Sequence, residues 1–332
     1  MRVAVTDCNI LKFAKKNCYS LYDDWSIDQK NRGLTVGYTL LDANFLPDTR
    51  MIEDWKWKGI NWDAVNAVKS ELYWGHGVSG AYDYSASHQT DDGAYYWGGT
   101  TMLTNHQIQI IGWDDTFSKD NFSPEHSKPE YDGAWLVKNS WSNEDVGYVV
   151  NGIRYYNDFG ILDDQGRHTG YFWLSYCDHS ISDLVSVSFT DGLSTGNGIF
   201  TYCHSYVPDY HRFFDESDDV TMTANIFEAD RATYLNAVNI TTHQDRARAI
   251  VSIYVGVDPG DPTSGVLAAQ KEAAYDFTGL HTIMLDEKVK VRQGQRFSIV
   301  LEEIGSSGKH LFGYASGFKE DRESQPTPMY MK

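Results

Sequence analysis

The sequence is poor in several things, and each shortage removes a class of protein. Its 332 residues include only 4 cysteines, too few for a disulfide-built scaffold. Cys8 with Cys18, or Cys177 with Cys203, have the option of pairing in an oxidising compartment; the plainer reading is four reduced, partly buried thiols. Basic residues are scarce: 28 Lys and Arg face 46 Asp and Glu, a formal net charge of -18. Such a surface repels phosphate backbones and anionic lipid, so no nucleic-acid partner is expected. No apolar run approaches the roughly 20 residues of a membrane span, so no transmembrane segment is expected. The first residues, Met1-Arg2-Val3-Ala4-Val5-Thr6-Asp7-Cys8, lack the apolar core and cleavage site of a secretion signal. What is abundant is aromatic: 10 Trp and 22 Tyr, side chains with an apolar body and a polar handle that suit β-rich, wet surfaces.

At 41% hydrophobic and 22% charged the composition is that of a folded chain, and its length suits two domains. Residues 1–44 are poorly assigned. The best helix signal follows at 61–75. Asn61 is a good N-cap and Asp63 suits the first turn. Val65, Val68 and Leu72 make one apolar face, and Gly75 is a natural stop. Residues 105–112 alternate as a strand, with His106, Ile108 and Ile110 on one face and Gln107, Gln109 and Ile111 on the other. A polar loop spans 114–132, a second strand 133–139, and a third 170–176. From about 183 short alternating runs separated by turn residues recur, at 184–189, 199–206, 221–228, 234–241, 249–257, 281–285 and 296–302. They predict an antiparallel β-sandwich. The residues after 318 form a polar tail.

The chemistry concentrates at His106, Asn139 and Trp141. If the strands 105–112 and 133–139 pair antiparallel, as sequential strands often do, His106 and Asn139 come together although 33 residues separate them in sequence. A neutral carboxamide oxygen accepts from one imidazole N–H and orients the ring. The other nitrogen is then free to exchange a proton with a nucleophile. Trp141 is placed to cover that bond and keep water from it.

Three strings carry a resemblance. Asn105-His106-Gln107-Ile108-Gln109-Ile110-Ile111-Gly112-Trp113-Asp114 resembles the histidine strand of papain-like cysteine proteases. Trp135-Leu136-Val137-Lys138-Asn139-Ser140-Trp141 resembles their asparagine motif, and Gly170-Tyr171-Phe172-Trp173-Leu174-Ser175-Tyr176 the strand that follows; all three stand in family order. The resemblance implies an α+β, mostly β fold. Residues 45–182 would be the right-hand, β-barrel half of the papain-like fold, and 183–318 resembles the lectin-like β-sandwich that follows the protease in some bacterial members. Residues 1–44 would be a remnant of the cysteine half or a linker, and 319–332 the tail. By the same resemblance His106 is the general base and acid, Asn139 its orienter and Trp141 the shield. Thr104 and Asn105 border the substrate groove. It further implies a protein or peptide substrate, no metal or organic cofactor, and an extracellular or cell-surface location.

The sequence departs from that family in what precedes His106. The nucleophile string Cys-Gly-x-Cys-Trp and the oxyanion glutamine six residues before it are both missing. Cys18 is followed by Tyr19-Ser20-Leu21 and preceded six residues earlier by Lys12; six before Cys8 is Arg2. The interval from Cys18 to His106 is 106 − 18 = 88 residues, against about 130–150 for this architecture. Ser142 stands where glycine is common, and 143–169 lengthens the next connection. The expectation is a peptidase incomplete in this chain, with the cysteine on a truncated or separate chain, or lost. The alternative is a non-catalytic binding protein whose sandwich holds a glycan or cell-wall ligand.

Other clusters of polar residues suit blander roles. Asp114, Asp115, Asp120 and Glu125 suit calcium chemistry but lack EF-hand spacing, so a solvated loop is the expectation. His76 and His88 lack zinc-site spacing, and Ser140 has no nucleophile elbow around it. Tyr202, Tyr206, Tyr210 and Tyr254 are sugar-stacking candidates that more often serve as core or rim.

Overall fold

The computed structural model describes residues 38–99, 104–122, 128–141, 148–150, 153–155, 159–191, 212–319 and 327–330. Cys8, Cys18, Cys203, Ser142, Glu125, the expected strand 199–206 and Tyr202, Tyr206 and Tyr210 lie outside them. The chain forms two compact units: Phe45–Val187, and Met1–Asn44 together with Ser188–Lys332. Strand is the dominant element in both.

Chain order begins with β1 (Tyr38–Phe45), then the hairpin β2 (Arg50–Glu53) and β3 (Lys56–Ile60), and helix α1 (Trp62–Tyr73). The helix starts as its sequence directs. Asn61 Oδ1 accepts from the Ala64 N–H, Asp63 sits in the first turn, and Val65 and Val68 are fully buried. It ends at Gly75, whose φ of 86° is left-handed, a conformation open to glycine at little cost.

After α1 come β4 (Val78–Tyr82), β5 (Ala94–Tyr95), β6 (His106–Asp114), β7 (Ala134–Lys138), the small hairpin β8 (Tyr148–Val150) and β9 (Ile153–Tyr155), β10 (Tyr171–Ser175) and β11 (Ser182–Asp191). In the Phe45–Val187 unit the strand order is β11-β4-β6-β7-β10-β5. All these pairs are antiparallel except β10 with the two-residue β5. The expected barrel is instead an open sheet: β5 ends the order, and no pairing among the described residues returns it to β11. Strand β6 alternates as its sequence requires, with Ile108 and Ile110 buried and Gln107, Gln109 and Ile111 exposed. A bulge between Ile110 and Gly112 shifts the register against β7. Trp135, Val137, Phe172 and Leu174 fill the core of this sheet at zero exposure.

The other unit contains β12 (Arg212–Ser217), β13 (Thr223–Glu228), β14 (Thr233–Thr242), β15 (Ala247–Val255), β16 (Val266–Tyr275), β17 (Gly279–Val291), β18 (Arg296–Ile304), β19 (His310–Lys319) and β20 (Thr327–Tyr330). One layer runs β14-β17-β1; the second runs β12-β19-β18-β15-β16, with β13 also on β18 and β20 on β19. Their inner faces meet in a core of Val238, Ile240, Ala249, Val251, Ile253, Ile283 and Val289, which makes this unit the antiparallel sandwich expected. The strand β1 joins it through Asp42 opposite His281. The His281 side chain is fully buried, bonded to Asp42 Oδ1 and Thr242 Oγ1 and stacked on Tyr275 at 3.6 Å.

Four strands of this unit, β12, β16, β19 and β20, fall outside the runs that the sequence predicts. In β16, Val266-Leu267-Ala268-Ala269-Gln270-Lys271-Glu272-Ala273-Ala274-Tyr275 is made largely of helix formers. It is held extended by a ladder to β15 from Ala247 opposite Tyr275 to Val255 opposite Val266. The polar tail supplies β20 at Thr327–Tyr330.

Candidate active site

Strands β6 and β7 carry the site. Ile110 lies opposite Val137 and Gln109 opposite Lys138. Counting toward the start of β6, His106 sits where the chain leaves β7, and parity puts residues 135, 137 and 139 on its face of the sheet. Asn139 is 2% exposed, and its Oδ1 lies 2.8 Å from His106 Nε2.

The protonation of the imidazole follows from its partner. The same Oδ1 accepts the Trp141 backbone N–H at 3.2 Å, which identifies that atom as the carboxamide oxygen, a pure acceptor. Nε2 must therefore donate to it. Nδ1 is left with no hydrogen-bond partner among the described residues, a lone-pair nitrogen free to take a proton. The Trp141 indole packs over the pair, with ring centroids 4.6 Å apart and planes tilted by 42°. The three residues singled out in the sequence are thus brought together.

Three further aromatic residues flank the pair. Tyr84 meets Trp141 edge-on at 5.0 Å and lies 6.1 Å from His106. Phe159 meets Trp141 edge-on at 5.5 Å, and Tyr82, at 5.8 Å, backs the imidazole. The sequence predicts a strand over 78–84, which carries Tyr82 and Tyr84 but does not point to Trp141, and Phe159 lies in a segment without clear periodicity. Burial raises the pKa of Tyr84 and, more strongly, of Tyr82, so both phenols stay neutral and wall the bond with apolar surface. Shielded in this way, the imidazole–carboxamide bond is stronger than in water.

Thr104 and Asn105 immediately precede β6. Thr104 is half-buried. The Asn105 carboxamide is engaged with the end of the neighbouring strand. It donates to Asp83 Oδ1 at 2.6 Å and to Tyr84 O at 3.1 Å, and accepts from Tyr84 N at 2.8 Å. Its visible work is to hold Tyr84 beside Trp141.

Phe159 is placed by a glycine. Gly160 has φ 87°, and a Cβ there would meet Tyr171 O at 2.0 Å. Gly160→Ala is therefore expected to cost about 2–3 kcal/mol, the sum of left-handed strain and a backbone overlap. A urea midpoint near the parent's would contradict this.

The remaining candidates disperse. Asp115 is bound by Lys69 Nζ at 2.5 Å and Tyr176 OH at 2.9 Å, Asp120 by Lys128, and Asp114 caps Thr116. Each of these carboxylates has its own partner. His76 pairs with Glu71, whereas His88 is buried edge-on to Trp97. Tyr254 is half-buried within β15. Cys177 is free and buried, and burial raises its thiol pKa, the reverse of what a nucleophile needs.

The described fold is similar to that of solved structures in which a cysteine-protease domain is followed by a lectin-like domain. Residues 209–316 match the family model of the lectin-like domain. Among solved structures the chain is similar to the clostridial cysteine protease Cwp84 after propeptide cleavage, with 20% identity over 90% of this chain and 67% of that one, at a TM-score of 0.59. It is also similar to the cysteine protease and lectin-like domains of Cwp84, a surface layer associated protein of Clostridium difficile. There the identity is 18% over 92% of this chain and 61% of that one, with a TM-score of 0.54. The chain thus spans about two-thirds or less of the length of these neighbours. No curated protein matches it. Among the described residues no helix is long and apolar enough to cross a membrane.

Proposed function

We propose that this chain carries the proton-transfer half of a cysteine endopeptidase acting on protein or peptide substrates at the cell surface or outside the cell. The observation that carries the reading is the 2.8 Å contact of His106 Nε2 with Asn139 Oδ1 under the Trp141 indole. His106 is the general base and acid, Asn139 its orienter, and Thr104 and Asn105 the border of the substrate groove. The mechanism is covalent. A thiolate supplied by a cysteine-bearing segment attacks the scissile carbonyl, and the protonated imidazole passes its proton to the leaving amine. Water, deprotonated by the same imidazole, then resolves the thioester. This sequence of steps calls on no metal or organic cofactor. The surface location is supported by the surface-layer association of the neighbour.

The chain by itself is expected to be inert toward peptides, since neither nucleophile string nor oxyanion glutamine is found in its sequence. An oxyanion donor alone is worth about 10²–10³ in rate. Turnover of a fluorogenic peptide by the purified chain, abolished by iodoacetamide, would contradict that expectation. The coding DNA immediately upstream tests the peptidase reading: an in-frame Gln-x5-Cys stretch supports it.

A second reading has its own support in the lectin-like match at 209–316. In it the protease half is degenerate and the sandwich binds a glycan or cell-wall polymer. Lack of any upstream cysteine segment, together with a glycan-array signal from the whole chain, would favour it.

A further inference from the structure

We infer that Lys138 is a positioning residue, which braces the Asn139–Trp141 turn from the reverse face of the sheet and so sets the carboxamide and the indole on His106. The inference deepens the peptidase reading and rests on it. Lys138 is the last residue of β7 and lies opposite Gln109 on β6 and Tyr171 on β10. By parity its side chain leaves the face opposite to that of Val137 and Asn139, so it contributes nothing to the imidazole directly. Its Nζ curls around the strand end instead. There it donates to Asn139 O at 2.5 Å and approaches Trp141 O at 3.5 Å, while lying 5.3 Å from the centroid of the Tyr171 ring.

This is an unusual setting for an ammonium group. Among the described residues no carboxylate lies within ion-pair distance of it; its charge is met by two backbone carbonyls and an aromatic face. Burial lowers its pKa, which marks the placement as carrying a solvation cost. The two carbonyls belong to the residue that orients His106 and to the residue that covers it. One cation therefore ties together the ends of the turn on which both functions sit. The Asn139 N–H, bonded to Gly170 O at 2.8 Å, anchors the same residue from the other strand. With the turn held at both points, the Asn139 side chain has little freedom to swing off Nε2.

The test follows solvent exchange of the His106 Nε2–H by NMR in the full chain, with thermal midpoints read in parallel. Lys138→Met keeps the stem and removes the donors. Exchange should become at least about tenfold faster, because the bond it reports opens more often. Lys138→Arg, which keeps both charge and donors, should restore exchange to within about threefold of the parent. A merely structural lysine would change the midpoint without a selective change at His106. Unchanged exchange in Lys138→Met overturns the inference and leaves the peptidase reading intact. If that variant does not fold, Lys138→Gln takes its place with the same expectation, and parent-like exchange there overturns it equally. An unprotected Nε2–H in the unsubstituted chain would instead remove the peptidase reading itself.

Discussion

With the chain joined to a cysteine-bearing segment that confers peptide hydrolysis, His106→Ala should lower kcat/KM by about 10³–10⁴-fold. The magnitude follows from what the imidazole does twice in one cycle: it receives the thiol proton and returns it to the leaving amine. Asn139→Ala should cost less, on the order of 10²-fold, because the ring survives and only its orientation and tautomer are released. The ordering of the two is informative. The structure gives His106 one fixed nitrogen, bonded to Asn139 Oδ1, and one nitrogen without a hydrogen-bond partner among the described residues. Loss of the fixed contact lets the ring turn, whereas loss of the ring removes the proton carrier. A His106→Ala enzyme within tenfold of the parent would mean that proton transfer runs through another group. The comparison is made on initial rates with a fluorogenic peptide.

The largest expected effect on stability lies away from the pair. Asp178 is completely buried and organises the connection between β10 and β11. Its Oδ1 accepts from Ser180 N, Ser180 Oγ and Ile181 N, and its Oδ2 from Trp97 N. Asp178→Ala strands three backbone N–H groups in the interior. At about 1–3 kcal/mol each, the loss should reach at least about 3 kcal/mol, read from urea midpoints. The effect has a pH signature. Burial, working against those hydrogen bonds, pushes the Asp178 carboxyl up to about 6. A carboxyl whose folded pKa is raised stabilises fully below its unfolded value and loses that contribution as pH climbs through the folded one. The gap between parent and Asp178→Ala should therefore narrow by roughly 1–1.5 kcal/mol from pH 5 to pH 8. A gap that widens over that range would show that the hydrogen bonds, not burial, dominate the ionisation.

The pair at 106 and 139 was legible in the sequence because alternation fixes both faces and direction. His106, Ile108 and Ile110 on one strand, with Trp135, Val137 and Asn139 on the next, leave one antiparallel register that buries all the apolar residues. Helix α1 was legible for a similar reason, since the Asn61 cap and the Val65–Val68 face agree. Tyr84 and Phe159 were not, because no local pattern says that the loop at 159–161 returns to Trp141; Gly160 was the one available hint. The barrel expectation came with the family resemblance and carried no register information, and the strands form an open order. Strand β16 was hidden by its composition, where pairing to β15 overrides a run of alanine, lysine and glutamate. Residues beyond 305 had turn-like glycines and serines around an alternation too short to single out, although β19 is built from them.

A long-range ¹H–¹⁵N correlation spectrum of the parent chain near neutral pH reads the state of the His106 imidazole directly. The predicted result is a His106 ring with a slowly exchanging proton on Nε2 and an unprotonated Nδ1. A proton on Nδ1, or a ring exchanging as freely as a solvent-exposed histidine, would contradict the bond to Asn139 and with it the peptidase reading.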